Sequence, residues 1–111
     1  MPIEQEVRLY ARADGFEPFT RWIEGLRDSA TRDRIQERIA RLRAGNFGDF
    51  RSVGGGVFEL RLPFGAGVRI YFGRVGDSIV LLLCGGEKRS QSRDIRRAQL
   101  YWMDYRSRSH V

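Results

Sequence analysis

Residues 58–72 read FELRLPFGAGVRIYF, and this segment decides the fold. Apolar and polar side chains alternate on both sides of the sequence PFGAG, which is the two-residue period of strands that bury one face. Residues 79–83 then read IVLLL, a continuous apolar run that is typical of a central strand covered on both faces. With a second turn around Gly76-Asp77, the pattern predicts an antiparallel meander of three strands.

Two helices are predicted before the meander. Asp14 and Glu17 have the spacing of a capping box, and the helix they open should run to about Leu26. Ser29 or Thr31 opens a second helix, which ends at Gly45-Asn46. Apolar residues recur at helical spacing in both and predict their core faces; these residues are Phe19, Trp22, Ile23, Leu26, Ile35, Ile39 and Leu42.

One strand precedes these helices and one helix follows the meander. Ile3 to Tyr10 alternates partly and predicts the first strand. The last helix starts near Ser92 and places Ile95, Ala98, Trp102 and Tyr105 on one side. We therefore expect residues 1–111 to form a single α+β domain with a small, antiparallel-dominated sheet, and residues 106–111 to be a frayed tail.

The composition indicates a folded globular protein. The chain has 111 residues, of which 41% are hydrophobic and 31% charged, and no apolar run approaches the length of a membrane span. Glu4 and Glu6 lie where a signal peptide would be basic and then apolar, so we expect no export and a cytoplasmic location. Cys84 is the single cysteine and lies in an apolar strand, which predicts a small core residue.

The charge favours a polyanionic partner. The net charge is +6, the isoelectric point is about 10.4, and Lys88 to Arg108 alone carries +5. Of the twenty basic residues 19 are Arg, and the one lysine, Lys88, follows Gly85-Gly86. A lysine can lose its proton where an arginine cannot, which makes Lys88 the first candidate for chemistry. The alternative is chance in an Arg-rich composition.

Strand parity brings four polar side chains together. If the apolar residues of the first two meander strands face the helices, Glu59, Arg61, Arg69 and Tyr71 share the opposite face. This set can form a phosphate-binding surface, with Lys88, Arg89 and Gln91 nearby. The alternative is a cross-strand salt bridge from Glu59 to Arg61 or Arg69 on a solvated face. The glycines 54–56 lack the context of a P-loop and are interpreted as a flexible lead-in to the next strand.

An ordered set of segments resembles one protein family. FELR at 58–61, GVRIYF at 67–72, LLLCGGEKRSQ at 81–91 and then Asp94-Ile95 and Ala98 are similar to the HigB-type addiction module killer branch of the RelE/ParE toxin superfamily. The resemblance covers essentially the whole chain and is most specific between Glu59 and Ala98.

The resemblance implies a RelE-like fold and the toxin of a type II toxin–antitoxin module. Its partners would be a helix-turn-helix, HigA-like antitoxin, the ribosome and mRNA, because many members cleave mRNA in the ribosomal A site. Members of the ParE branch instead poison DNA gyrase, and an inactive or purely RNA-binding homologue is a third alternative. The positions that match the phosphate contacts of the ribonuclease members are Arg61, Arg69 and Lys88-Arg89.

Cleavage of RNA without a metal or cofactor uses the 2′-hydroxyl as nucleophile. It requires a base, cations for the phosphorane and an acid for the leaving oxygen. Arg61 and Arg69 suit the cation role, Lys88 that of a further cation or proton shuttle, and Glu59 that of a base unless pairing lowers its pKa. The predicted RNA-binding residues are Tyr71, Arg89, Gln91 and Arg93. The one histidine, His110, is next to the C-terminus, which excludes a His–His pair.

Overall fold

One mixed five-stranded sheet forms the centre of the molecule. The computed structural model describes residues 2–108. The elements are β1 (Glu6–Leu9), α1 (Pro18–Glu24), α2 (Ser29–Arg43), β2 (Phe50–Gly54), β3 (Val57–Leu62), β4 (Val68–Val75), β5 (Ile79–Gly86), a 3-10 turn (Lys88–Ser90) and α3 (Gln91–Ser107). The strand order is β1-β5-β4-β3-β2; β2 to β5 form an antiparallel meander and β1 is parallel to β5. The predicted α+β class is confirmed.

Helices cover both faces of the sheet. The helices α1 and α2 pack on one face, where Leu60, Ile70, Phe72 and Leu82 meet Phe19, Ile35, Ile39 and Leu42. The helix α3 packs on the other face, where Val57, Tyr71, Leu81 and Leu83 meet Ala98 and Trp102. The prediction that Ile79 to Leu83 is a central strand buried on both faces is confirmed. The alternative that this face of the meander is solvated is wrong, because α3 lies over much of it.

A side-chain cap is present at the start of α2 and absent at the start of α1. Asp28 caps α2, since its Oδ1 accepts a 3.1 Å hydrogen bond from the Ala30 amide, and Gly45 ends the helix with φ of +88°. The predicted capping box at α1 is wrong. Asp14 accepts instead from the Phe16 amide within a turn, and α1 begins at Pro18, whose missing N–H suits the first helical position.

The strand β2 is an addition to the predicted topology. Phe50–Gly54 pairs antiparallel with β3, so the meander has four strands and not three. Its sequence FRSVG does not alternate between apolar and polar residues, because an edge strand buries little on either face. Gly55-Gly56 is the turn of the β2–β3 hairpin, which corrects the interpretation of glycines 54–56 as a flexible lead-in.

The end of α3 is held more firmly than expected. Arg106 and Ser107 are helical, and Arg108 donates hydrogen bonds to the Ala11 carbonyl (2.7 Å) and to Asp104 Oδ2 (2.8 Å). The predicted tail is therefore wrong for residues 106–108, while 109–111, including His110, lie outside the described residues. Across residues 2–108, no helix combines the length and apolarity that crossing a bilayer requires.

Candidate functional site

The buried carboxylate of Glu59 is the centre of a polar cluster on the α3 side of the sheet. Glu59 lies in the middle of β3 and is 0% exposed. Its Oε1 accepts from Arg51 Nε (3.0 Å), and its Oε2 accepts from Tyr71 Oη (3.1 Å) and Gln91 Nε2 (2.8 Å). Arg69 Nε lies 3.6 Å from Oε2. The cluster therefore joins β2, β3, β4 and the start of α3 through one anion.

The surroundings keep Glu59 ionised. Burial raises its pKa, but the hydrogen bonds from Gln91, Arg51 and Tyr71 outweigh burial, so the pKa lies below the ordinary value. A buried carboxylate with a lowered pKa and four partners is a poor proton acceptor. The structure therefore opposes the prediction that Glu59 is a general base and gives it the role of positioning the arginines.

Tyr71 does not offer a stacking surface. The residue is 0% exposed and packs in the cluster beneath α3, and its hydroxyl is used by Glu59. Burial, followed by the charge of Glu59, raises the pKa of Tyr71, so the phenol stays protonated. The prediction that Tyr71 binds RNA is corrected: the side chain is buried, and its hydroxyl supports Glu59.

The two predicted phosphate arginines differ in exposure. They face each other across β3 and β4, but the Arg61 side chain is 45% exposed and that of Arg69 only 10%. Arg61 Nε lies 3.6 Å from Asp49 Oδ2, whereas Arg69 donates to the Gly67 carbonyl (2.7 Å) and pairs with Glu59. The cross-strand salt bridge weighed as an alternative therefore exists for Arg69.

Arg51 is a member of the cluster that the sequence did not indicate. It lies opposite Glu59 in the β2–β3 register and its side chain is 50% exposed. Only the recognition of β2 would have placed it, since register then puts residue 51 on the face of residue 59.

Gly67 connects the cluster to Lys88. A Cβ at Gly67 would lie 2.8 Å from Arg69 Nη1 and 3.0 Å from Lys88 Cβ, so both side chains flank this glycine. The Lys88 amide also donates to the Ala66 carbonyl (3.3 Å). The structure thus places Lys88 beside the Glu59 cluster, as the strand order predicted, and leaves its side chain exposed.

A basic groove runs from Lys88 along the start of α3. Its volume is about 640 Å³, and it is lined by Lys88, Arg89, Ser90, Gln91, Ser92, Arg93 and Arg96. Gln91 belongs to both the groove and the Glu59 cluster, which makes the two one continuous surface. Arg89 pairs with Glu87 (3.2 Å), and no carboxylate lines the groove among the described residues. We call the groove, together with the side chains of Arg51 and Arg61, the basic surface.

Gly85 and Gly86 have packing roles at the end of β5. A Cβ at Gly85 would lie 2.6 Å from Trp22 Cδ2, and one at Gly86 would lie 2.8 Å from Asp94 Cγ. The Asp94 carboxylate accepts a 2.5 Å hydrogen bond from Ser90 Oγ, which fixes the 3-10 turn that carries Lys88. The Gly-Gly pair therefore brings α1 and α3 close to the sheet and holds Lys88 in place.

The arrangement can bind the backbone of a polyanion. Six cationic side chains lie on the basic surface, and an arginine on such a surface matches two phosphate oxygens at once. The buried anion beneath them holds Arg51 and Arg69 in fixed positions, so that little ordering is required when a ligand binds.

Comparison with known proteins gives one informative match. An uncharacterized protein of Haemophilus influenzae is 44% identical over 82 residues, which cover 74% of this chain and 83% of that protein. No protein-family model matches the chain.

Proposed function

We propose that this chain is the toxin of a type II toxin–antitoxin module. The chain belongs to the same family as the uncharacterized Haemophilus influenzae protein. The proposed activity of this chain is metal-independent cleavage of mRNA on the ribosome. The fold is of the RelE type, with the site on the face that α3 partly covers. The observation that carries the proposal is the basic surface itself, which is built on a buried carboxylate and continuous from β2 to α3.

The chemistry assigns different roles to the residues of this surface. The RNA 2′-hydroxyl attacks the adjacent phosphorus, and the 5′-oxygen leaves. Arg61 and Lys88 are exposed and stabilise the charge that develops on the phosphorane, while Arg69, held by Glu59 and Gly67, contributes a fixed positive charge from beneath. Arg89 and Arg93 bind flanking phosphates.

The Glu59 cluster has no exposed group suited to proton transfer among the described residues. Glu59 is ionised and buried and Tyr71 is protonated and buried, so Lys88 is the proposed proton shuttle. The ribosome supplies the remaining groups and orients the RNA for in-line attack. Free RNA would then be a poor substrate.

The same burial supports a second candidate. Because Glu59 and Tyr71 do not reach solvent, the surface can also serve a toxin that binds without cleaving, as the ParE-like poisons of DNA gyrase do. In both cases the chain would be neutralised by a HigA-like antitoxin with a helix-turn-helix domain.

The test is mapping of mRNA 5′ ends in a reconstituted bacterial translation reaction. We expect new ends only when ribosomes translate the message and the protein is present. Arg61→Gln should reduce their rate by about 10²-fold, as the loss of a transition-state contact does. The exposed Arg27, outside the basic surface, gives the matched control Arg27→Gln. Intact mRNA together with arrested growth and gyrase inhibition would reject cleavage in favour of the second candidate.

A further inference from the structure

A second cavity lies on the other side of the first turns of α3. It has a volume of about 250 Å³ and is formed between α1, the end of β5 and α3. Its walls contain three aromatic residues, Phe16, Trp22 and Tyr101, and two arginines, Arg21 and Arg97. None of these residues belongs to the basic surface.

Each aromatic side chain of this cavity packs against a neighbouring residue. Trp22 packs on Gly85, Tyr101 stacks on Tyr10 with ring centroids 5.1 Å apart, and the guanidinium of Arg12 lies 4.3 Å from the centre of the Phe16 ring. All three aromatic residues are half-buried, so each still presents part of its ring to the cavity. Rigid aromatic walls bind flat rings with little loss of conformational entropy.

Two arginines and one carboxylate line the cavity, so its walls carry a net positive charge and favour an anion beside the arginines. Arg97 is exposed, whereas Asp94, which also lines the cavity, is buried and its carboxylate accepts a hydrogen bond from Ser90 Oγ. Arg21 lies 5.9 Å from the centre of the Phe16 ring. Cations beside aromatic faces are the features with which proteins bind single-stranded nucleic acids, where bases stack and phosphates pair with arginine. At ~30 Å³ per water, the volume equals that of about eight waters, which suits one base and not a folded element of RNA.

The cavity adjoins the basic groove through α3. Arg93 and Arg96 line the groove, while Asp94 and Arg97 are the next residues along the helix and line the cavity. A strand whose phosphates lie in the groove can therefore place a neighbouring base on the other side of the same helical turns.

We propose that this cavity, defined by Phe16, Trp22, Arg97 and Tyr101, is a base-binding pocket for single-stranded RNA. The pocket rests on the proposed function, because its ligand is a nucleotide of the strand that the basic surface holds. It would bind one unpaired base by stacking, and Arg97 would pair with the adjoining phosphate.

The test uses the purified chain and short 2′-O-methyl oligoribonucleotides, which cannot be cleaved through a 2′-hydroxyl. We expect the fluorescence of Trp22 to change on titration, and Trp22→Phe to remove that signal while binding, measured by anisotropy, persists. Phe16→Leu should weaken binding about fivefold or more, since it removes one stacking face. Arg97→Gln should weaken binding and lower the salt dependence by about 0.7 in log–log slope.

The control is Arg106→Gln, because Arg106 is exposed in the last turn of the same helix, about 14 Å along the helix axis from Arg97. Its affinity should change less than about twofold, as for a distant surface charge. Unchanged Trp22 fluorescence together with wild-type affinity of Phe16→Leu, or no binding of any oligonucleotide, would overturn the pocket. Those results leave ribosome-dependent cleavage to be judged by end mapping, so the two proposals fail separately.

Discussion

Gln91 Nε2 donates a 2.8 Å hydrogen bond to Glu59 Oε2, and this bond ties the first residue of α3 to the centre of β3. The two residues are 32 positions apart, and no other side chain among the described residues joins the basic groove to the Glu59 cluster by a direct hydrogen bond. The order of the basic surface therefore depends on an amide that carries no charge.

Gln91→Leu should lower the free energy of unfolding by about 1–3 kcal/mol, because a charged, buried acceptor loses a donor. Urea unfolding measures the loss. The control is Ser92→Ala, since Ser92 is exposed in the same turn and is not among the partners of Glu59. Equal stability of the two variants would show that the Gln91–Glu59 bond contributes nothing.

Glu59→Gln should destabilise most at neutral pH. The folded-state pKa of Glu59 lies below the ordinary value, so its carboxylate contributes stability that is complete above the unfolded pKa of about 4.3 and is lost as the pH falls through the folded pKa. Near pH 7 we expect a loss of about 3–5 kcal/mol, as for a broken buried ion pair. Urea titrations from pH 7 to pH 3 should show the gap from the wild type narrowing below about pH 4. A gap that is constant with pH would contradict the assignment.

Arg61 and Arg69 should separate activity from stability. Arg61→Gln removes a half-exposed charge and should leave the free energy of unfolding within about 0.5 kcal/mol of the wild type while it reduces RNA cleavage. Arg69→Gln removes a buried partner of Glu59 and should cost about 3 kcal/mol as well as activity. Thermal unfolding and end mapping on both variants check this. Similar unfolding of the two would mean that burial does not distinguish them.

Local signals in the sequence predicted the parts of the fold that local contacts determine. The apolar residues Ile35, Ile39 and Leu42 predicted α2, because the buried face of a helix shows as apolar residues three or four positions apart. The strand β2 was not predicted, because its pairing with β3, and not its own sequence pattern, makes it a strand. The place of Arg51 in the Glu59 cluster was not predicted for the same reason.

The sequence predicted four residues of the candidate site, but it predicted neither Arg51 nor how deeply each side chain is buried. Parity placed Glu59, Arg61, Arg69 and Tyr71 on one face, which the register confirms. Which face α3 covers depends on packing between residues far apart in sequence, and that packing buries Glu59 and Tyr71 while Arg61 stays exposed. For the same reason the sequence did not reveal the packing roles of Gly85 and Gly86, whose closest contacts are Trp22 and Asp94.

The close approach of Gly86 to Asp94 gives a final prediction about how Lys88 is held. Gly86→Ala should place a methyl group against the Asp94 carboxylate and break its hydrogen bond with Ser90, at a cost of about 1–3 kcal/mol from overpacking. Gly25→Ala is the control, because its nearest atoms would be 3.5 Å away and its φ of −80° suits alanine. That variant should be neutral or stabilised by up to about 1 kcal/mol.

The double variant Gly86→Ala/Asp94→Ala distinguishes this clash from other causes. If the methyl group acts through Asp94, a double-mutant cycle in urea should give a coupling energy of about 1 kcal/mol or more, because residues in contact are not additive. Cleavage by Gly86→Ala should also fall, since the 3-10 turn that carries Lys88 loses its Ser90–Asp94 bond. Additive stabilities with full cleavage would mean that Gly86 serves neither the packing of Asp94 nor the position of Lys88.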